Sequence, residues 1–288
     1  MGATITSFTG LQNLTNIQEF KADYNGLTSI DLSGMSTLTE VDLSDNDLPD
    51  SSTNSLSSVN LSGCTSLEYL YLDDNDFSAG FPDLSDCDSL VLIDFDQCGI
   101  VGSVDISNLP ALEQFDFNGN TELTELIISS TQPLGDNGRE LLANDCALTQ
   151  TAIDNILVAL ASGSVSNGFV DLDNDNGAGT NATPGEAGRE SLLILSDRGW
   201  SFDIVPGNHT ELTVAKELLE EDICASTYTI TQYIASGSTI EVGNKLYTNS
   251  DAWNPADAGW YRLDGDGSIK FEVSGTYGEI ISVDPCGA

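Results

Sequence analysis

A pattern of the form L-x-x-L-x-L-x-x-N-x-L returns along the first half of the chain and constrains the fold more than any other feature. It reads as Ile17, Phe20, Ala22, Asn25 and Leu27, then Leu38, Val41, Leu43, Asn46 and Leu48. Next come Leu67, Leu70, Leu72, Asn75 and Phe77, then Leu90, Ile93, Phe95, Cys98 and Ile100. The last copy is Leu112, Phe115, Phe117 and Asn120, with Leu123 one residue late. Copies that start at 17, 38, 67, 90 and 112 are spaced 21, 29, 23 and 22 residues apart. A single copy would mean little, but phased copies mean that one structural unit is stacked on itself.

Each apolar-x-apolar pair predicts a short strand whose alternate side chains face inward, and stacking the pairs makes a parallel sheet. The Asn that follows can turn inward and satisfy backbone groups left open by the bend; Cys98 replaces it once with a small thiol. A weaker second strand falls between copies, at Ile30–Leu32, Val59–Leu61, Val104–Ile106 and Leu126–Ile128. The phrases Ile5-x-x-Phe8-x-Gly10-Leu11-x-x-Leu14-Thr15-Asn16-Ile17 and Leu38-Thr39-Glu40-Val41-Asp42-Leu43-Ser44 resemble internalin-type bacterial leucine-rich repeats over about residues 5–130. That resemblance implies a solenoid used as an adhesive or protein-binding surface. Solenoids need capped ends, and two alternatives are open at the N-terminal one: residues 1–16 fold over it, or another subunit covers it.

After Ser130 the pattern becomes helix plus strand. Ile153, Ile156, Leu157 and Leu160 mark one helical face, with Thr151 and Asp154 as its capping box and Gly163 after its end. A strand over Phe169–Leu172 follows. A second helix is framed by Thr183, Pro184, Glu186 and Gly199, ahead of an alternating strand over Trp200–Ile204. Beyond a linker, helical over Leu212–Asp222, strands are expected at Tyr228–Thr231, Lys245–Tyr247, Gly259–Arg262, Ile269–Val273 and Ile280–Val283. The phrases Leu246-Tyr247-Thr248-Asn249, Ala258-Gly259-Trp260-Tyr261 and Gly278 to Val283 resemble small modules of phage tail-fibre-like and Bacteroidetes surface proteins. The expected fold is therefore a leucine-rich-repeat solenoid of parallel β type, with two short strands per coil and helix–strand coils at its C-terminal end, plus a small all-β domain. The expected boundaries are 1–130 for the solenoid, 131–206 for its helix–strand continuation and cap, 207–223 for the linker and 224–288 for the β module.

Charge narrows the partners. The chain carries 46 acidic and 8 basic residues, a net charge of −38, and no Lys or Arg between Lys21 and Arg139. Such a surface repels phosphate backbones and anionic membranes, and repels itself unless salt or divalent cations screen it. No cofactor is expected, and Ca²⁺ at most weakly bound. The loop Asp171 to Gly177 lacks the glycine and the terminal acid of an EF-hand, since Asn176 and Ala182 stand there. Asp264-Gly265-Asp266-Gly267 fails in the same way and reads as a hairpin turn.

The six cysteines, at 64, 87, 98, 146, 224 and 286, form no CxxC pair and have one histidine, His209, to help them, so no metal site is expected. Cys64 and Cys87 occupy matching places on adjacent coils, as stacked thiols or as a disulfide. Cys224 and Cys286 bracket the last module and are the disulfide candidate in an oxidising setting. With no nucleophile paired to His209, no catalytic residue is assigned and no enzyme is expected.

The expected contact surface is the outward side of the strands: Glu19 and Lys21, Glu40 and Asp42, Tyr69 and Tyr71, Leu92 and Asp94, Gln114 and Asp116. Tyr69, Tyr71 and Leu92 make an apolar centre rimmed by acids, suited to a protein or a glycan. The residues at the N-terminus show no secretory leader. These features point to a virion-surface structural or binding protein of phage type. Its partners would be other virion or surface proteins, a host receptor protein or a glycan, not nucleic acid, with no membrane insertion. A secreted or surface-anchored bacterial adhesin and an intracellular protein-binding scaffold are the alternatives.

Overall fold

The computed structural model describes residues 5–46, 56–174 and 179–204, and five strands between His209 and Pro285. The chain divides into two compact units, residues 1–182 with 194–205, and residues 183–193 with 206–288.

The first unit is organised by one eight-stranded parallel sheet whose strand order follows the chain. The strands are Glu19–Lys21, Glu40–Asp42, Tyr69–Tyr71, Leu92–Asp94, Gln114–Asp116, Glu140–Leu142, Phe169–Leu172 and Ser201–Ile204. Three residues are enough for a strand here because only the middle one must face in. Phe20, Val41, Leu70, Ile93, Phe115, Leu141 and Val170 stand in register and are buried. Two residues on, Ala22, Leu43, Leu72, Phe95, Phe117, Ala143 and Leu172 make a second buried column. The sixth strand, Glu140–Leu142, is absent from the sequence expectation. Its unit reads Leu141, Ala143, Cys146 and Leu148, with Gly138 where the first leucine would stand, and that is too dilute a pattern to recognise.

Among the described residues a ladder of polar side chains closes the corners that follow the main strands. Asn46 donates from Nδ2 to the carbonyls of Leu43 (2.9 Å) and, one unit back, Ala22 (3.0 Å), while its Oδ1 accepts from Leu27 N–H (3.1 Å). Asn120 repeats this with Phe117 (2.8 Å), Phe95 (2.9 Å) and Ile100 N–H (2.9 Å). Asn181 does the same for Leu172, Ala143 and Leu148 N–H, after a corner longer than the others. Cys98 and Cys146 take the place of Asn, their thiols reaching the carbonyls of Leu72 (3.1 Å) and Phe117 (3.2 Å). The residue before each of Asn25, Asn46, Asn75, Cys98 and Cys146 is left-handed, with φ between 50° and 53° at Tyr24, Asp45, Asp74, Gln97 and Asp145. Asp and Asn accept this conformation more readily than most side chains, which explains why acids recur at the bend.

The opposite side is less regular. Ser29–Asp31 pairs with Ser58–Asn60, and Val101–Asp105 with Glu122–Ile127, as two separate two-stranded sheets. Between them Pro82 occupies the place of Val59, and with no N–H it cannot extend the ladder. The room is filled instead by Phe81, whose ring lies 4.7 Å from that of Phe95, itself stacked on Phe117 at 5.6 Å. Four bends on this side are set by a carboxylate or amide oxygen that accepts the N–H two residues on: Asp31 to Ser33, Asn60 to Ser62, Asp83 to Ser85 and Asp105 to Ser107.

At the N-terminal end the chain's own residues lie on the first unit. Ile5 exchanges bonds with Asn25 and Gly26, and Phe8 meets the Phe20 ring edge-on at 5.2 Å. At the other end helix α1, Gln150–Ser162, follows the sixth strand in place of a second strand, and a further helix α2, Glu186–Asp197, is divided between the two units. The cap of α1 is Thr149, whose hydroxyl accepts from Ala152 N–H at 3.2 Å. This corrects the expectation of Thr151, which lies inside the first turn; with Ala152 three after the true cap there is no capping box. Trp200 is buried, and its indole N–H reaches the Val165 carbonyl at 3.1 Å. Its six-membered ring leaves no room for a side chain at Gly135 or Gly168, where an added Cβ would lie 2.5 and 2.6 Å from it.

The second unit holds an antiparallel sheet in the order Thr229–Ala235, His209–Glu217, Gly259–Leu263, Ile269–Val273, Ile280–Pro285. The strand His209–Glu217 corrects the expected helix over Leu212–Asp222. The sequence there is His-Thr-Glu-Leu-Thr-Val-Ala-Lys-Glu, and its β-branched Thr210, Thr213 and Val214 suit a strand. His209 thus begins a strand and does not lie in a linker, and the β unit starts before residue 224. Lys245–Tyr247, Cys224, Cys286, residues 175–178 of the expected calcium-like loop and the turn 264–267 lie outside the described residues.

Candidate functional site: the outward face of the parallel sheet

Parallel registration converts sequence spacing into rows. On the outward face, Glu19 stands beside Glu40, then Tyr69, Leu92 and Gln114. The neighbouring row is Lys21, Asp42, Tyr71, Asp94 and Asp116. Glu19 and Lys21 are exposed, and the other eight are half-buried. All ten residues expected on this surface therefore share one face. Neighbouring strands lie about 4.8 Å apart, so side chains in one row are close neighbours.

A third row, set by the corner, was not anticipated. Asp73 and Asp96 follow the strands of the third and fourth units and crowd the carboxylates of Asp94 and Asp116. Burial is the main reason that the Asp73 carboxyl is pushed up to about 7, helped by Asp94, Asp45 and Asp74. Burial likewise pushes Asp116 up to about 7, with Asp94, Asp96 and Asp73 adding repulsion. Asp94 and Asp96 shift upward for the same first reason. Like charges placed directly opposite are unfavourable in a sheet, so Asp94 beside Asp116 is electrostatic tension held by the fold. What fixes these groups is the corner: Oδ1 of Asp42, Asp94, Asp116 and Asp171 each accepts the N–H two residues on, at 2.9–3.3 Å. The signal for the third row was present in Leu72-Asp73 and Phe95-Asp96, but it emerges only when the corners are stacked.

Asp45, Asp73 and Asp74 bring one carboxylate oxygen each to within 4.8 Å of one another, a spacing that one cation can span. The sequence reading assigned no metal ligands, and this trio comes from different units. Two ion pairs of the chain itself bridge adjacent units, one on this face and one just before the fifth and sixth strands. Lys21 Nζ lies 2.6 Å from Glu40, and Arg139 Nε lies 2.7 Å from Glu113. In both pairs the base reaches the acid of the adjacent unit. Between them lie Tyr69, Tyr71 and Leu92 with the unneutralised rows.

The thiols have another character. Cys64, Cys87, Cys98 and Cys146 are free and buried. Desolvation pushes Cys64 up to about 11 and Cys87 and Cys146 up to about 12, and raises Cys98 as well. They are packing groups and weak donors to carbonyls, far from the thiolate that nucleophilic chemistry needs. Of the two readings left open for Cys64 and Cys87, the stacked thiols are what is found. A search against protein-family models gives no match, and neither does a search of curated proteins.

Proposed function

We propose that this chain is a non-enzymatic, leucine-rich-repeat solenoid that binds a partner through the outward face of its parallel sheet. The observation that carries the reading is the registered patch of Tyr69, Tyr71 and Leu92 bordered by Glu40, Asp42, Asp94 and Asp116. A flat, partly apolar centre with a polar rim is the anatomy of a modest protein or glycan contact. The rigid sheet beneath it lowers the ordering cost of binding. The solenoid assignment is supported by strand order, by the Asn and Cys ladder and by the repeated left-handed corner. Support for a role without catalysis comes from thiols held protonated and from carboxylates already occupied in corner bonds. The acidity and the likeness of the last module to surface proteins favour a virion-surface or extracellular setting, with a bacterial adhesin as the second reading.

The test is direct. The full chain is screened against immobilised basic proteins and a glycan panel, beside a Tyr69→Ala/Tyr71→Ala variant shown to be folded by circular dichroism. The reading requires a ligand whose affinity falls at least about tenfold in the variant, the loss of one good aromatic contact. Turnover of any bound ligand that disappears with Asp94→Asn would overturn the non-enzymatic part. A monomer that never accompanies particles or surfaces would overturn the setting.

A further inference from the structure

The chemistry of the partner can be argued one step further, resting on the reading of this face as the contact surface. Two features of the face point the same way. First, the described ion pair on the face, and a second just before the fifth and sixth strands, show how adjacent units receive a base. Lys21 and Arg139 each lie across a unit boundary onto a glutamate, at 2.6 and 2.7 Å. The sequence offers no further Lys or Arg between them, although acids stand on both sides of the tyrosines, Glu40 and Asp42 before them and Asp94 and Asp116 after. Second, the middle of the face is not simply acidic. Tyr69, Tyr71 and Leu92 sit half-buried in adjoining register positions and make an apolar floor within the rows, flanked by Glu40, Asp42, Asp94 and Asp116. A lone metal ion would use the carboxylates and ignore that floor. A neutral glycan would use the rings but leave Asp94 and Asp116 opposed.

We propose that the face from Glu40 to Asp116 docks an arginine- or lysine-rich peptide segment of a partner protein, its bases on the acidic rows and an apolar residue on Tyr69, Tyr71 and Leu92. The distance from the second strand of the sheet to the fifth is about 14 Å, which four or five residues of extended chain cover. Bases spaced along such a segment would continue across the middle units the arrangement that Lys21 makes with Glu40 at the first strand pair. Guanidinium groups also stack on tyrosine rings, so arginine suits this floor better than lysine.

Isothermal titration of the full chain at pH 8 with a synthetic peptide of about eight residues, arginine and serine around one central leucine, tests this. The same peptide with citrulline for arginine is the control. The Asp94→Asn/Asp116→Asn pair removes two charges and keeps the corner bonds, because the amide oxygen of Asn accepts the same N–H, as Asn60 does in the chain itself. The comparison pair is Asp88→Asn/Glu122→Gln, both exposed and away from the face. The expected result is binding of the arginine peptide only, weakened about tenfold or more by the first pair and less than about twofold by the second. Equal loss in both pairs, or binding of the citrulline peptide as well, would overturn the basic-segment proposal. So would displacement of the peptide by no more than stoichiometric Ca²⁺, which would make the rows a metal site. Failure of the peptide alongside a glycan that depends on Tyr69 and Tyr71 would overturn the partner and leave the face. Ligands that all ignore the tyrosines and Asp94 would overturn the face itself.

Discussion

Asn120 and Cys98 fill the same position in successive units, and the difference between them is measurable. Asn120 satisfies two carbonyls and one N–H in the interior, so Asn120→Ala strands the Phe95 carbonyl and the Ile100 N–H and leaves the Phe117 carbonyl with the weak Cys146 thiol alone. Its expected cost is at least ~3 kcal/mol in urea unfolding. Cys98 makes one weak bond to Leu72, and the Phe77 N–H that an asparagine oxygen would take is already bonded to the Cys98 carbonyl at 2.8 Å. Cys98→Ala should therefore cost about 1–2 kcal/mol, from lost volume and one S–H bond. Cys98→Asn should bring no gain, although it restores the pattern. The asparagines were legible as a fold signal because a short side-chain amide offers two N–H donors and an acceptor at once. The same reasoning could not find Asn181, because the corner before it is longer than the rest, nor the sixth unit, where Cys146 and Ala143 dilute the pattern.

Among the elements, the strands of the main sheet were readable where two bulky apolar residues alternate, and their outward rows followed from that alternation. The break in the second side was not, since Pro82 alone marks it and its meaning depends on what stacks beside it. Helix starts were misjudged by two residues because Thr149 and Thr151 are equally plausible caps in isolation. Thr149→Ala should lower stability by ~1 kcal/mol and Thr151→Ala by a few tenths at most, compared in parallel denaturant melts. The seam between the last strands makes a sharper case. Gly168→Ala would drive a methyl into the Trp200 ring, and a destabilisation of about 2–3 kcal/mol is expected. Partial recovery in a Trp200→Leu background would show that the ring is what the methyl meets.

For the molecule as a whole, acidification should stabilise. Asp73 and Asp116 hold their protons up to about 7 when folded, against an ordinary value of 3.8. Between those pH values the folded chain binds protons that the unfolded chain has released, so the stabilisation is fully present below 3.8 and is lost as pH rises through 7. Relief of the −38 net charge acts in the same direction. Thermal melting should give a midpoint higher by ~5 °C at pH 5.5 than at pH 8, and added salt should narrow the gap from the alkaline side. Below the ordinary carboxylate range the sign reverses. The Asp31 carboxyl is held low by the Ser33 hydroxyl and N–H, and Asp83 by the Ser85 N–H and hydroxyl; protonation weakens the acceptor at both bends.

The interruption at Pro82 has a mechanical consequence. On the main face every unit is tied to the next by parallel strand pairing. On the other side, among the described residues, the units flanking Leu84 are joined by side chains alone. Asp86 accepts the Gly63 N–H, and the Ser89 hydroxyl reaches the Thr65 carbonyl. A cleft of about 190 Å³ opens there beside Val59, Phe77, Phe81 and Pro82. A stack reinforced along one side and spliced on the other bends about its strong side. Under load it would open like a book whose spine is the parallel sheet, with the fore-edge parting first between Asn60 and Val101.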